Sequence, residues 1–248
     1  MKSWLKLALP LYQMPLQAVD NRRLYRQIAD QIAALIERGE YGAGQRLPPE
    51  RDLARQLGVS RPSVREALIA LEVEGYVEVR IGSGVYVLGP GRIARSEPLP
   101  ADSGPFEVIK ARWLIEAECA ALAAKSATRT QVRAMAEALD QMESERDKGV
   151  MPLGADRLFH LRIAEGSGNS ALALVVKTLW DQRQGPLFLR LERHYDTPEL
   201  WTVAISEHRE IVDAIARHDA SGARTAMRRH MNQAAKRFSK SWEKKKSR

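Results

Sequence analysis

The stretch Arg46-Leu47-Pro48-Pro49-Glu50-Arg51-Asp52-Leu53-Ala54-Arg55-Gln56-Leu57-Gly58-Val59-Ser60-Arg61-Pro62-Ser63-Val64-Arg65-Glu66-Ala67-Leu68 decides the fold of the first third of the chain. Proline suits the first turn of a helix, so Pro48-Pro49 predicts a short helix over 50–57 that Gly58 closes. Ser60 is a good N-cap and Pro62 fits the first turn after it. The helix so opened runs to about Glu74, with Val64, Leu68 and Leu71 on its inner side and Gly75 as its stop.

Upstream, Leu24, Ile28, Ile32, Leu35 and Ile36 recur at spacings of three and four and predict an amphipathic helix over 22–37, broken by Gly39, Gly42 and Gly44. Downstream, residues 76–80 and 85–88 alternate as two short strands around the glycine-rich Ile81-Gly82-Ser83-Gly84. Helix, helix, tight turn, helix and β-hairpin make a winged helix-turn-helix. The N-terminal end of its third helix is the end that meets base edges in the major groove. Arg61, Ser63 and Arg65 are expected there, since arginine can bond guanine bidentately and serine can bond a base or a phosphate. Ser60 joins them as the turn residue, Arg51 is placed for the phosphate edge, and Gly82 lets the wing approach the backbone of duplex DNA. A solvated arginine face is the competing reading for a lone helix, but here turn, cap and wing occur in order.

The chain has 248 residues, enough for two domains. The expected plan is an extension over 1–21, the DNA-binding domain over 22–88, a Gly/Pro/Ser-rich linker over 89–104, an all-helical domain over 105–241 and a basic tail over 242–248. Net charge is +8, but residues 236–248 carry seven basic residues and one acidic, so charge alone does not argue for nucleic acid. Cys119 is the sole cysteine, which excludes an intrachain disulfide and a cysteine metal cluster and fits a reducing cytoplasm. No apolar run reaches membrane-spanning length. The leucine-rich start is broken by Lys6 and Pro10 and reads as an extension, not a signal peptide.

Beyond the linker no strand pattern occurs. Helices are expected over 106–124 (Val108, Ile109, Leu114, Ile115 and Leu122 inward), from a Thr128 cap to about 148, over 156–164, from an Asn169 cap to about 183, over 199–217 and over 221–239: a bundle of six or seven helices, and a mainly α chain. Asp156 and His160 are four apart and share a helix face. His208 and His230 sit mid-helix on two further helices. Four such groups could converge on a divalent transition metal such as Zn²⁺, Ni²⁺, Mn²⁺ or Fe²⁺, although an Asp–His pair at this spacing is also a common surface ion pair. His194 and His218 have no comparable placement. Arg112 could hold a ligand carboxylate in a fork or pair with Glu116 one turn on. No nucleophile elbow, phosphate loop or dinucleotide fingerprint is present, so no enzyme is expected; a metal-dependent hydrolase with a DNA anchor is the remote rival.

The quoted stretch, with Leu71-Glu72-x-Glu74-Gly75-Tyr76-Val77, resembles the GntR family of regulators over residues 22–88. Ala111-Arg112 with Glu116, Asp156-x-x-Phe159-His160-x-x-Ile163-Ala164, Gly168-Asn169, Glu207-His208 and His230 resemble that family's FadR branch, whose effector (FCD) domain is an all-helical bundle. The resemblance implies one metal per chain, zinc first, on Asp156, His160, His208 and His230. It implies an acidic effector held by Arg112, with Asn169 either a second contact or only a cap. It also implies operator contacts from Arg51, Arg61, Arg65 and Gly82. Gly104-Pro105-Phe106-Glu107 running into Ala111-Arg112, and Asn169-Ser170 with Trp180 and Trp201, resemble most the hexuronate-operon repressors. Lactate, pyruvate or gluconate are alternative effectors. A homodimer on a palindromic operator follows from the same likeness.

Overall fold

The computed structural model describes residues 23–90, 103–195 and 197–239. The expectations for the extension, most of the linker and the basic tail lie outside these residues.

Helix α1 (Leu24–Glu37) is amphipathic, as its spacing requires, but it buries Tyr25, Ile28, Ala29, Ile32, Ala33 and Ile36 and leaves Leu24 half exposed. The inward stripe is therefore rotated by one residue at the helix start. Helix α2 (Glu50–Leu57) ends on Gly58, whose φ of 66° is the left-handed conformation the tight turn needs. Helix α3 (Arg61–Val73) opens on Ser60, whose Oγ accepts the Ser63 N–H at 3.2 Å, with Pro62 in the first turn. Strands β1 (Val77–Arg80) and β2 (Gly84–Val87) pair antiparallel, Val77 opposite Val87 and Arg80 opposite Gly84. Leu47 N–H donates to Val85 O and Val87 N–H to Gln45 O, so the segment before α2 lies along the outer edge of β2.

The second unit comprises α4 (Pro105–Ser126), α5 (Arg129–Asp147), α6 (Leu153–Gly166), α7 (Ser170–Asp181), a 3₁₀ turn (Gln182–Gln184), α8 (Pro186–Tyr195), α9 (Pro198–Ala216) and α10 (Ala220–Phe238). The cap on α5 is a reciprocal box: Thr128 Oγ1 accepts the Gln131 N–H while Gln131 Oε1 accepts the Thr128 N–H at 2.9 Å. Helix α4 packs most extensively on α10, and also on α6, α7 and α9. Its buried face is made of small residues, Ala117, Ala120, Ala123 and Ala124, which let α10 approach closely. Leu114, expected inside, is half exposed, and Leu122 is only partly covered. Those positions were taken by Arg112 and Glu116, polar residues facing the bundle interior. Helix α8 was not foreseen; it lies between α3 and α10 and touches both. Among the described residues no helix is long and apolar enough to cross a membrane.

Candidate metal centre and nucleic-acid interface

Helix α6 carries Asp156 and His160 one turn apart, α9 carries His208 and α10 carries His230, all buried. The four helices around them leave a centre into which the three imidazoles project. One ring nitrogen from each lies within 4.8 Å of those of the other two. His160 Nε2 is 3.3 Å from His208 Nε2. Asp156 Oδ1 is 3.5 Å from His160 Nε2 and 3.3 Å from His208 Nε2, borders two of the three rings, and has no well-formed hydrogen bond of its own. Phe159 packs on His160 edge-on, centroids 5.5 Å apart, and on His208 at 4.7 Å.

The outer nitrogens are engaged by carboxylates. His160 Nδ1 sits 2.5 Å from Glu116 Oε2, out of line for an ideal hydrogen bond, and His230 Nδ1 donates to Glu207 Oε2 at 2.8 Å. Carboxylates behind the ring fix the tautomer and aim the inner nitrogen at a shared point. Burial, then the neighbouring imidazoles, pushes His208 and His230 well below the usual histidine range, which leaves them neutral with lone pairs to offer. For His160 burial also pushes down, but Glu116 and Asp156 outweigh it and raise the ring. Burial would raise Asp156, yet His160, His208 and Arg183 hold it well below the carboxylate range, so it stays an anion. Three neutral-capable imidazoles, an anionic oxygen that borders two of them with no well-formed hydrogen bond, and carboxylates behind the rings fit a divalent cation of the zinc or nickel type.

A cavity of about 530 Å³, partly open to solvent, reaches this cluster; Arg112, Asp156, Arg183, Trp201, His208 and His230 are on its wall. Arg112 pairs with Glu116 and also faces the cavity. Its Nε donates to Glu116 Oε1 at 2.6 Å, and the guanidinium, stacked 3.9 Å from the Trp180 centroid, lines the cavity. Arg183, which the sequence did not single out, lies 4.3 Å from the same ring and bridges Asp156 and Glu192. It stands in the 3₁₀ turn between α7 and α8, where no periodicity marks it. Asn169 is not brought to the cavity. It is exposed, and its Oδ1 accepts the Ala171 and Leu172 N–H groups at 3.0 and 3.2 Å, so it is the cap of α7. His194 and His218 also lie elsewhere, on Glu72 Oε2 at 2.6 Å and Ala124 O at 2.9 Å.

At the other end of the chain Arg51 and Ser60 are exposed, Arg61 keeps nearly half its side chain exposed, and Ser63 is partly covered. Gly82, with φ 78°, turns the wing. Arg55 and Arg80 are exposed beside them and add positive charge that the sequence reading left out. Arg65 departs from expectation. It is 2% exposed, forks onto Glu50 with two contacts of 2.6 Å, and donates through Nη1 to the Phe238 carbonyl at 2.5 Å. In this conformation it holds α3 to α2 and α10 and is turned away from any DNA. Positions 61 and 65 lie one turn apart on nearly the same helix face, and what separates them is that Glu50 of α2 and the Phe238 carbonyl at the end of α10 engage and cover Arg65.

Two family models match. "Bacterial regulatory proteins, gntR family" covers residues 24–87 and "FCD domain" covers residues 107–233. The "Uxu operon transcriptional regulator" of Escherichia coli K12 is 38% identical over 89% of this chain and 89% of its own. The "Exu regulon transcriptional regulator" of the same strain is 38% identical over 87% of this chain and 84% of its own. A "Putative L-lactate dehydrogenase operon regulatory protein" of that strain is 36% identical over 85% and 84%.

Proposed function

The chain belongs to the GntR family of DNA-binding transcription regulators, with an FCD effector domain, and from that premise we propose that it is a metal-dependent sensor of a hexuronate that represses a sugar-acid catabolic operon. The observation that carries the sensor reading is the convergence of His160, His208 and His230, with His208, His230 and Asp156 on the wall of the cavity that Arg112 also lines. His160, His208 and His230, with Asp156, would hold one divalent metal, whose Lewis acidity would draw in a carboxylate and a vicinal hydroxyl. Arg112 offers that carboxylate a planar pair of donors, held in place by Glu116 and by the face of Trp180. Trp201 closes the wall with an apolar face suited to a sugar ring. Arg51, Ser60, Arg61, Ser63 and Gly82 would touch the operator.

The names of the Uxu and Exu relatives favour a hexuronate over lactate. A homodimer suits a palindromic operator, and the exposed Leu114 on α4 and Leu174 on α7, two helices in contact, support a face for a second copy. The test is a gel-shift titration of the DNA upstream of its own gene against D-glucuronate, D-galacturonate, L-lactate and gluconate. A hexuronate should release the DNA at lower concentration than the other acids; release by lactate alone would refute the assignment. Elemental analysis should find about one metal per chain, lost in His208→Ala together with effector response, while DNA binding persists. A His208→Ala protein that keeps both its metal and its response would remove the cluster from the sensor.

A further inference from the structure

The back of α3 is fastened to the effector domain at three places. Arg65 donates to the carbonyl of Phe238 in the last turn of α10. Glu66 Oε1 accepts the Phe106 N–H at the start of α4, at 2.8 Å. Glu72 Oε2 meets His194 Nε2 on α8 at 2.6 Å while its Oε1 accepts the Val79 N–H within strand β1 of the wing. Two of these anchoring elements also wall the effector cavity: Phe188 of α8 and Phe238 of α10 both line it. Tyr195, at the end of α8, packs against the Phe238 ring at 5.9 Å and lies under the Arg65 guanidinium at 5.9 Å. Phe238 thus both lines the cavity and bonds α3 through its carbonyl, and Phe188 lies six residues before His194 on the same helix.

We propose that α8 together with the last turn of α10 is the transmission element of the regulator, carrying occupancy of the cavity to α3 and the wing through the His194–Glu72 and Phe238 carbonyl–Arg65 contacts. This rests on the effector reading above. A ligand that displaces Phe188 or Phe238 moves the two α3 anchors with them. Arg65 is buried and already forked onto Glu50, so a shift of the Phe238 carbonyl changes a desolvated contact at the back of α3. Glu72 couples the same shift to the wing, because one carboxylate holds both His194 and the Val79 N–H. The element has two discrete arrangements, docked and undocked, and both the cavity and the DNA face bias them.

The experiment compares full-length wild type, His194→Ala and Glu72→Gln, neither position being on the cavity wall. Binding of D-glucuronate and D-galacturonate is followed by calorimetry, ligand-driven DNA release by gel shift, and protection of residues 61–73 by amide exchange. The variants should bind the sugar acid within about twofold of wild type, yet show an effector-induced loss of DNA affinity reduced by about fivefold or more, with faster exchange in α3. Ligand-driven release equal to wild type in both variants overturns the proposal, whatever the exchange shows. If neither sugar acid binds wild-type protein, the effector assignment fails, and the clamp is judged on exchange alone: unchanged protection of α3 in His194→Ala overturns it, and faster exchange sustains it.

Discussion

Arg61 and Arg65 stand four residues apart on one helix and have opposite fates. Among the described residues Arg61 is held by a 3.4 Å contact to Glu50 alone and keeps nearly half its side chain exposed, so it can swing to a base edge. Arg65 fills its donors with Glu50 and the Phe238 carbonyl, and Glu50 is itself buried. The two alanine substitutions therefore separate. Arg61→Ala should weaken binding to a specific site by about 1–3 kcal/mol and leave folding intact. Arg65→Ala leaves the buried Glu50 carboxylate with only the longer Arg61 contact in place of a close fork, which costs about 3 kcal/mol of stability. Urea titration checks both; an Arg65→Ala protein with wild-type midpoint and impaired DNA binding would return Arg65 to the readout. The sequence placed both arginines on one helix end correctly. It could not separate them, because Arg65's partners come from α2 and from a carbonyl 173 residues away, and a main-chain acceptor has no sequence signature. The histidines were more legible. Spacing on α6 and mid-helix positions on α9 and α10 allowed them to converge without requiring it; the family resemblance singled them out, and the structure brings the three rings together.

Helix α8 shows where element-scale reading stops. Pro186 at its start and Leu187, Phe188, Leu191 and Tyr195 on its buried side are ordinary helix signals. The segment is ten residues long, follows a 3₁₀ turn and Gly185, and carries three arginine or histidine residues, so its apolar pattern covers barely two turns. Its burial depends on α3 and α10 arriving from distant parts of the chain. The junction of α3 with α4 makes a second, titratable contact. Glu66 is pushed up to about 7, chiefly by burial and further by the nearby Glu107 charge, against the pull of the Phe106 N–H. A carboxyl raised in the folded state from its usual 4.5 binds its proton more tightly there than when unfolded. Its contribution is present in full below pH 4.5 and is lost as pH rises through 7, by up to about 3 kcal/mol. Glu66→Gln keeps an acceptor for Phe106 but cannot ionise. Its stability should match wild type near pH 5 and exceed it at pH 8, as read from denaturant midpoints; parallel profiles for the two proteins would rule out a buried, titrating Glu66.

At the scale of the whole chain, the apolar core is continuous from Ile28, Leu68 and Val77 in the DNA-binding half to Met135, Phe159 and Ile211 in the bundle. The polar contacts of Arg65, Glu66 and Glu72 run across the same boundary. A linker rich in glycine and proline suggests two units that melt independently; the packing of α8 and α10 on α3 argues that they melt as one. A metal held by His160, His208 and His230, as proposed, would fasten α6, α9 and α10 together, and anything that binds only the folded form stabilises all that unfolds with it. A metal at about a thousand times its dissociation constant contributes about 4 kcal/mol, which in a chain of this size moves the melting temperature by on the order of 10 °C. Scanning calorimetry of the metal-loaded protein should then give one transition, and a chelator should lower it as a whole. Two transitions, of which the chelator moves only one, would mean that the winged domain hangs free of the bundle, and that neither α8 nor the end of α10 holds it.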